Sequence, residues 1–372
     1  SGFALAIVPV AGAWQAEAQT PAGAATAALK PTDMPAAFVE IAKDGWVTIQ
    51  SNRLDMGQGS ETGLAMVLAE ELDADWSKVR AVPAPLGAAY VDPAFGMHLT
   101  GGSTAIKNSY KQYRELGARA RAMLVAAAAA AWGVRAEQIT VSAGRLTSGN
   151  RSTDFGALAE AAMKLPVPEK VTLKDPATFK LIGQPHSRID VGDVTRGAKR
   201  YGVDIDLPGM KTVLVARPPV FGGKLARVDD TKARATKGVS DVLRIDGLDR
   251  GAQAVAIVAD GFWSASQGRD ALQVDWDLGG LERTDSVKQL AEYRELAGKP
   301  GLKATKADAA RVAGAARKIS AEYVFPYLAH GAMEPLNCTI QFDGAKCTMW
   351  YAAQMHNVDA GSVAKVLGID VK

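Results

Sequence analysis

The sequence predicts a mixed α/β protein of several domains, and three observations carry that expectation. Strand and helix patterns alternate through the first half of the chain. Two glycine-bearing turns each stand where a helical pattern opens, and proline-rich or charged stretches divide the rest into blocks. With 372 residues, 48% of them hydrophobic, the chain can bury sizeable cores, and its length suggests two or three domains. Lys plus Arg number 43 against 40 for Asp plus Glu, a formal charge of +3, which excludes the basic footprint of a nucleic-acid binder.

The first block is an apolar run, Ser1-Gly2-Phe3-Ala4-Leu5-Ala6-Ile7-Val8-Pro9-Val10-Ala11-Gly12-Ala13-Trp14. It is shorter than the roughly 20 residues that cross a bilayer and has the form of a signal-peptide core followed by small residues. The alternative is a buried or interfacial N-terminal segment. Residues 16–28, rich in Ala, Thr, Gln, Gly and Pro, read as a flexible tether, so 1–35 is set apart as a signal-like or anchor segment.

From 36 to 165, strands and helices alternate. Trp46-Val47-Thr48-Ile49-Gln50 has the alternation of a half-buried strand, Leu64 to Leu72 has helical spacing, and Val79 to Val82 suggests another strand. Ile106 to Trp132 predicts a long helix, with Tyr110, Leu116, Ala120, Met123 and Leu124 on one face and Gly133 as its cap. Its run Ala126 to Ala131 suits a closely packed helix without further purpose. Asp154 is the candidate N-cap of a helix from Phe155. Leu165-Pro166-Val167-Pro168 and Asp175-Pro176 punctuate a linker. A block over 182–285 contains a helix around Gly261 to Leu272 and a strand Gln273 to Trp276. A Lys- and Ala-rich connector, Asp285 to Arg317, leads to a strand from Ser320 to Phe325 in a last block, 318–372. Cys338 and Cys347 flank Asp343-Gly344, a hairpin turn. A diagonal placement makes a poor disulfide, so two free, packed thiols are expected. Two cysteines are too few for an iron–sulfur cluster, which takes about four.

The two turns are Met56-Gly57-Gln58-Gly59 and Thr100-Gly101-Gly102-Ser103-Thr104. Glycine lets the backbone approach a ligand, and the first free N–H groups of a helix then face it. Such ends favour phosphate-like anions. Neither turn has the Walker or the Rossmann pattern, and each alone also reads as an ordinary tight turn. His330 and Glu334 have the spacing of a metal pair on a helix, but His98, His186 and His356 supply no third ligand nearby in sequence. The roles expected are a hydrogen-bonded buried imidazole and a paired carboxylate. No metal-ligating residue is expected in this chain. Phe95 and Met97 fit a substrate funnel or plain apolar packing equally well.

A third segment, Tyr323-Val324-Phe325-Pro326-Tyr327-Leu328-Ala329-His330-Gly331-Ala332-Met333-Glu334-Pro335-Leu336-Asn337-Cys338-Thr339, gives the turns more meaning. Together the three resemble the large, molybdenum-cofactor-binding subunit of the xanthine oxidase family. The branch is that of isoquinoline oxidoreductase and the membrane-bound aldehyde dehydrogenases of acetic acid bacteria, in which MGQG lies ahead of the hammerhead domain, as here. The resemblance covers nearly all of the chain after Ala36. It implies molybdopterin-binding segments, 36–165 and 318–372, flanking an α/β hammerhead domain over 182–285. The hammerhead is matched at Pro185-His186-Ser187-Arg188-Ile189-Asp190-Val191, Tyr201-Gly202-Val203-Asp204 and Val213-Leu214-Val215-Ala216-Arg217-Pro218-Pro219.

The resemblance also assigns Met56, Gly57, Gln58 and Gly59 to the pterin part of molybdopterin cytosine dinucleotide. Gln58 offers both a donor and an acceptor to a heterocyclic edge. Gly101, Gly102, Ser103 and Thr104 would meet the cofactor's phosphate or pterin, and Ala105 lacks the hydroxyl that ends the family's GGSTS. Leu328 stands where some members place a glutamine near the metal. Gln354, after Trp350, resembles the glutamine of an STQ segment beside the cofactor, with a simple turn residue as the other reading. Molybdenum is held by the cofactor itself.

The implied function is an exported oxidoreductase on the periplasmic side of the inner membrane, oxidising aldehydes to carboxylic acids. Electrons would pass to a small subunit with 2Fe–2S clusters, and a cytochrome c partner bearing haem c is a further candidate. Membrane association would come through the N-terminus or a partner. The family's GGGFG loop and its late GxGE segment, which carries the catalytic glutamate, are absent up to Lys372. The chain is therefore expected to be a fragment or one piece of a divided large subunit, completed by the remainder beyond Lys372. The alternatives are an N-heteroaromatic, isoquinoline-type hydroxylase and a non-catalytic scaffold half of a divided molybdoenzyme.

Overall fold

The computed structural model describes residues 5–8, 29–247, 253–281, 285–302 and 309–371. Most of the signal-like run, the whole tether and part of the charged connector lie outside the described residues. Within the run, Leu5–Val8 forms a strand in parallel register with Cys338 to Gln341. No described helix is long and apolar enough to cross a membrane. The class is mixed α/β, as the alternation predicts, and packing divides the chain into two compact units.

One unit comprises Pro9–Asp204 and Phe342–Lys372. Its strands Val47–Ser51 and Val79–Pro83 run parallel, with the helix Ser60–Leu72 between them in sequence. Parallel strands need such a crossover. Val39–Ile41 pairs antiparallel on the other side, so Val47–Ser51 is central. Val47, Thr48 and Ile49 are consequently all buried, and the strand is covered on both faces where its alternation suggested one. The long helix spans Ala105–Trp132 and buries Tyr113, Leu116, Ala120, Met123 and Leu124 against Leu64, Leu68 and Leu72. Gly133 ends it at φ +63° and donates its N–H to the Ala129 carbonyl. A meander of three short strands, Thr140–Ser142, Arg145–Ser148 and Arg151–Asp154, follows. Its polar residues give no alternation to read. Helix Phe155–Met163 then starts after Asp154, as expected, but the Asp154 carboxylate pairs with Arg145 at 2.9 Å and makes no capping hydrogen bond.

The expected linker is pinned in place. Glu71, fully buried, takes Arg114 Nη2 at 2.6 Å and the Lys174 N–H at 3.1 Å. One oxygen of Glu70 accepts the N–H groups of Lys180, Leu181 and Ile182 at 2.9, 2.6 and 3.2 Å. Burial pushes the Glu70 carboxyl up, but these donors and Lys174 outweigh it and hold it below the usual carboxylate range. The stretch from Ile182 to Asp204, read from sequence with the following block, packs with this unit.

The other unit comprises Ser1–Val8 and Ile205–Gln341. Ala254–Ala259 is the buried centre of an antiparallel sheet between Val239–Ile245 and Thr212–Ala216. Helix Phe262–Asp270 and strand Gln273–Asp277 fall where the sequence placed them, the strand pairing with Lys224–Asp229. The connector contains a helix, Ser286–Ala297, capped by the Asp285 carboxylate on the N–H groups of Val287 and Lys288. Two expectations fail here. Ser320 to Phe325 is irregular and exposed, because none of the described strands pairs with its backbone. His330 is exposed and not buried, and Glu334 is half-buried, accepting from Asn337 Nδ2 at 3.0 Å. Cys338 and Cys347 are both free.

Candidate functional site

Both glycine turns lie in the first unit, and a buried arginine joins them. Arg53, immediately before the first turn, gives Asp92 Oδ2 a hydrogen-bonded ion pair at 2.6 Å, with both side chains fully buried. Arg53 Nη1 also donates to the Leu99 carbonyl at 2.7 Å, and Nε to Ser109 Oγ at 2.9 Å. Thr100 Oγ1 accepts the Leu54 N–H at 2.9 Å. The chain entering the first turn is thus fastened to the chain entering the second. Burial pushes the Asp92 carboxyl up, and Arg53, the Ala94 N–H and Asn108 more than offset it, holding it below its usual range.

The two turns differ in what they leave open. In the first, Gly57 and Gly59 are left-handed at φ +100° and +83°, which only glycine adopts at low cost. The Asp55 carboxylate accepts the N–H groups of Gly57 at 2.7 Å and Glu61 at 3.1 Å, with Gly59 at 3.4 Å. An acidic side chain already occupies the helix end that an external anion would use. Gln58 is turned onto its own loop: its Oε1 takes the Met56 N–H, and its Nε2 donates to the Leu54 carbonyl at 3.0 Å and to Ser60 Oγ at 3.1 Å. Met56 is half exposed, and added Cβ atoms at Gly57 and Gly59 would meet nothing within 4 Å, so the turn faces open space. Arg188, from the Pro185 to Val191 segment, donates to the Gly57 carbonyl at 2.7 Å and grips Asp190 at 2.9 and 3.0 Å. That grip holds the Asp190 carboxyl far below its ordinary range.

In the second turn Gly102 and Ser103 are left-handed at φ +59° and +58°. Thr104 Oγ1 is spent on the Gly101 carbonyl at 2.7 Å, and the long helix that begins at Ala105 has no side-chain cap. No acceptor among the described residues takes the N–H groups of Gly102 or Ser103, or the Ser103 hydroxyl. Free N–H groups at the start of a 28-residue helix form an anion site by geometry and by dipole. The two turns are therefore unlike: the second leaves N–H groups free at a helix start, and the first is closed by Asp55 and by the internal hydrogen bonds of Gln58.

A third chain segment reaches the second turn across 254 positions. Gln354 Nε2 donates to the Thr100 carbonyl at 3.0 Å, and the Thr100 N–H to the Gln354 carbonyl at 2.8 Å. Gln354, read from sequence either as a cofactor-side glutamine or as a simple turn residue, is thereby joined to the second turn. Beside it, His98 and His356 meet edge to face with ring centroids 4.5 Å apart. Burial depresses the pKa of both rings, helped by Arg53 at His98 and by the neighbouring ring at His356. Phe95 is half exposed and Met97 partly covered. No cluster of three or more metal-ligating side chains occurs among the described residues. Sequence reasoning missed Arg53, Asp55, Asp92 and the His98–His356 pair. Nearness to the glycine turns could have singled out Arg53, Asp55 and His98, whereas nothing in the sequence marks Asp92 or His356.

Residues 12–212 match the model of a family described as molybdopterin cofactor-binding domain. Among curated relatives, the membrane-bound aldehyde dehydrogenase [pyrroloquinoline-quinone] of Gluconacetobacter polyoxogenes is 32% identical over 70% of this chain and 34% of its own length. The isoquinoline 1-oxidoreductase beta subunit of Brevundimonas diminuta is 29% identical over 90% of this chain and 48% of its own. A nicotinate dehydrogenase subunit of Pseudomonas putida is 26% identical over 90% of this chain and 28% of its own. The chain spans between about a quarter and a half of the length of these relatives.

Proposed function

We infer the function from family membership: this chain belongs to the molybdopterin cofactor-binding domain family and is a molybdenum-binding subunit of the xanthine oxidase type. We propose that it cradles molybdopterin cytosine dinucleotide in an oxidoreductase that converts aldehydes to carboxylic acids. When bound, that cofactor supplies the molybdenum centre at which substrate is oxidised. The observation that carries the reading is the uncapped second turn, fastened by Thr100 to both the first turn and Gln354. Gly102, Ser103 and the first residues of the long helix would bind a cofactor phosphate through their N–H groups. Gln58 would leave its own loop to pair with the pterin edge, where donor and acceptor bonds to a heterocycle shielded from water outweigh the internal ones it gives up. Arg53 and Asp92 hold the two binding turns at a fixed separation and touch no ligand themselves.

The reading extends to export to the periplasmic side of the inner membrane, supported by the apolar N-terminal run. Its electron acceptors are a small subunit with 2Fe–2S clusters and a cytochrome c partner. The Gluconacetobacter relative, named as an aldehyde dehydrogenase, supports the substrate class. The Brevundimonas relative, named for isoquinoline, supports ring hydroxylation as the second reading.

The test is molybdenum and released cytidine monophosphate on the purified native complex. About one of each per complex supports the cofactor reading. Absence of both from active, undamaged material overturns it, and pyrroloquinoline quinone in their place would move this chain to the cofactor in the Gluconacetobacter relative's name. Substrate profiling decides the reaction: ring hydroxylation without aldehyde oxidation defeats the first choice. Gln58→Ala is expected to weaken cofactor retention roughly five- to thirtyfold, the worth of one or two hydrogen bonds. Unchanged molybdenum content in that variant would remove Gln58 from the site.

A further inference from the structure

The His98–His356 pair lies next to the second turn and takes no part in the reading above. His98 is 5% exposed, its Nε2 engaged by the backbone of Gly87 at about hydrogen-bond distance and its Nδ1 without a partner among the described residues. Both ring nitrogens of His356 are also buried without a partner. The pair therefore brings together three ring nitrogens that have no partner among the described residues. His98 precedes Thr100 by two residues, and His356 follows Gln354 by two, so the rings bracket the reciprocal Thr100–Gln354 hydrogen bonds. Among the described residues no third metal-ligating side chain joins the pair, and the aromatic contact itself is the feature the rings share.

We propose that His98 and His356 are positioning residues forming a neutral-imidazole latch that holds Gln354 against the second turn, and that acid opens it. Neutral rings pack edge to face, the positive edge of one on the negative face of the other. A proton on either ring creates a buried cation, and no hydrogen bond links the two rings to take up its charge. The charged groups facing the pair are Arg53, which opposes protonation of His98, and Asp359 on His356's own helix, which favours protonation of His356. Arg53 is itself neutralised by Asp92. Burial and the second ring outweigh Asp359, so both rings are depressed in the folded state. A histidine depressed on folding contributes stability that is complete above the unfolded value of about 6.5. That contribution is lost as pH falls through the folded value. The latch is thus shut at neutral pH and opens on the acid side. Its consequence for cofactor retention rests on the function proposed above; the latch itself does not.

Hydrogen exchange followed by mass spectrometry on the native complex tests it, reading peptides over 353–358 and 99–104 and correcting for intrinsic exchange. Protection is expected to fall severalfold between about pH 7.5 and about pH 5, because the opened segment binds protons that the closed pair excludes. His356→Phe keeps the edge-to-face contact without a titrating group, and His98→Gln removes the second proton site with less change of bulk. Either variant should flatten the pH profile while remaining folded at neutral pH. Protection that does not change with pH in the parent, or an acid loss of the same size in both variants, overturns the latch. Molybdenum content measured on the same samples separates the outcomes. A pH-dependent latch on a metal-free complex sustains this inference and defeats the function. A pH-independent segment on a loaded complex does the reverse.

Discussion

Arg53→Met is expected to lower the unfolding free energy of the first unit by about 3–5 kcal/mol, the usual cost of removing one partner from a buried ion pair. Methionine nearly preserves the volume, so the loss reports charge and hydrogen bonds more than a cavity. Asp92 would keep the Ala94 N–H at 2.8 Å and Asn108 Nδ2 at 3.2 Å, but no cation would face its buried carboxylate. The Leu99 carbonyl and Ser109 Oγ would lose their donor as well. In the double variant Arg53→Met, Asp92→Asn no carboxylate remains to be stranded, so at least half of the loss should return. Acid sensitivity follows the same pair. With its pKa depressed on folding, Asp92 contributes stability that is complete above its unfolded value of about 3.9 and lost as pH falls through the folded value. Arg53→Met should move that loss to higher pH. A destabilisation below about 1 kcal/mol, the worth of an exposed pair, would mean that the guanidinium is not joining the turns.

What was legible in the sequence is what local pattern controls. The long helix, its Gly133 stop, the helix through Leu64 to Leu72 and the strand Gln273–Asp277 all follow from side-chain periodicity and capping. The glycine turns were legible as turns, because φ of +100° at Gly57 and +59° at Gly102 restricts the residue that can stand there. Nothing local says that Asp55 closes the first helix end while the second stays open; that depends on one rotamer and a few N–H directions. Arg53 and Asp92 carry no periodic signature, and their meaning appears only when two separate turns are folded side by side. The Ser320 to Phe325 pattern shows the opposite failure. Its β-branched and aromatic residues suit a pleated surface, but a strand exists only where another backbone satisfies it. Gln354 was ambiguous for a similar reason, since its hydrogen-bond partner lies 254 positions away.

Gly117→Ala is expected to destabilise the first unit by about 1–3 kcal/mol, against the helix propensity of the two residues. An alanine Cβ at 117 would stand well inside van der Waals contact with the Leu68 carbonyl oxygen and 2.9 Å from Glu71 Cβ, where the long helix crosses Ser60–Leu72. Propensity alone favours alanine by about 1 kcal/mol. The contact outweighs it because the atom met first belongs to a helix backbone and cannot rotate aside. Relief requires the two helices to part, and Leu64, Leu68, Leu116 and Ala120 would then lose close packing together. The displaced helices carry both glycine turns at their N-termini, so cofactor retention should fall along with stability. Gly361 supplies the matched control, being exposed within the helix His356–Leu367, with nothing within 4 Å of an added Cβ. There the same substitution should stabilise by about 0.5–1 kcal/mol, since only backbone entropy and propensity change. Urea unfolding of both variants tests the argument through its sign. A gain at 361 with a loss at 117 is the expected pair, and a gain at both would show that the helices do not cross closely enough at Gly117 to exclude a methyl group.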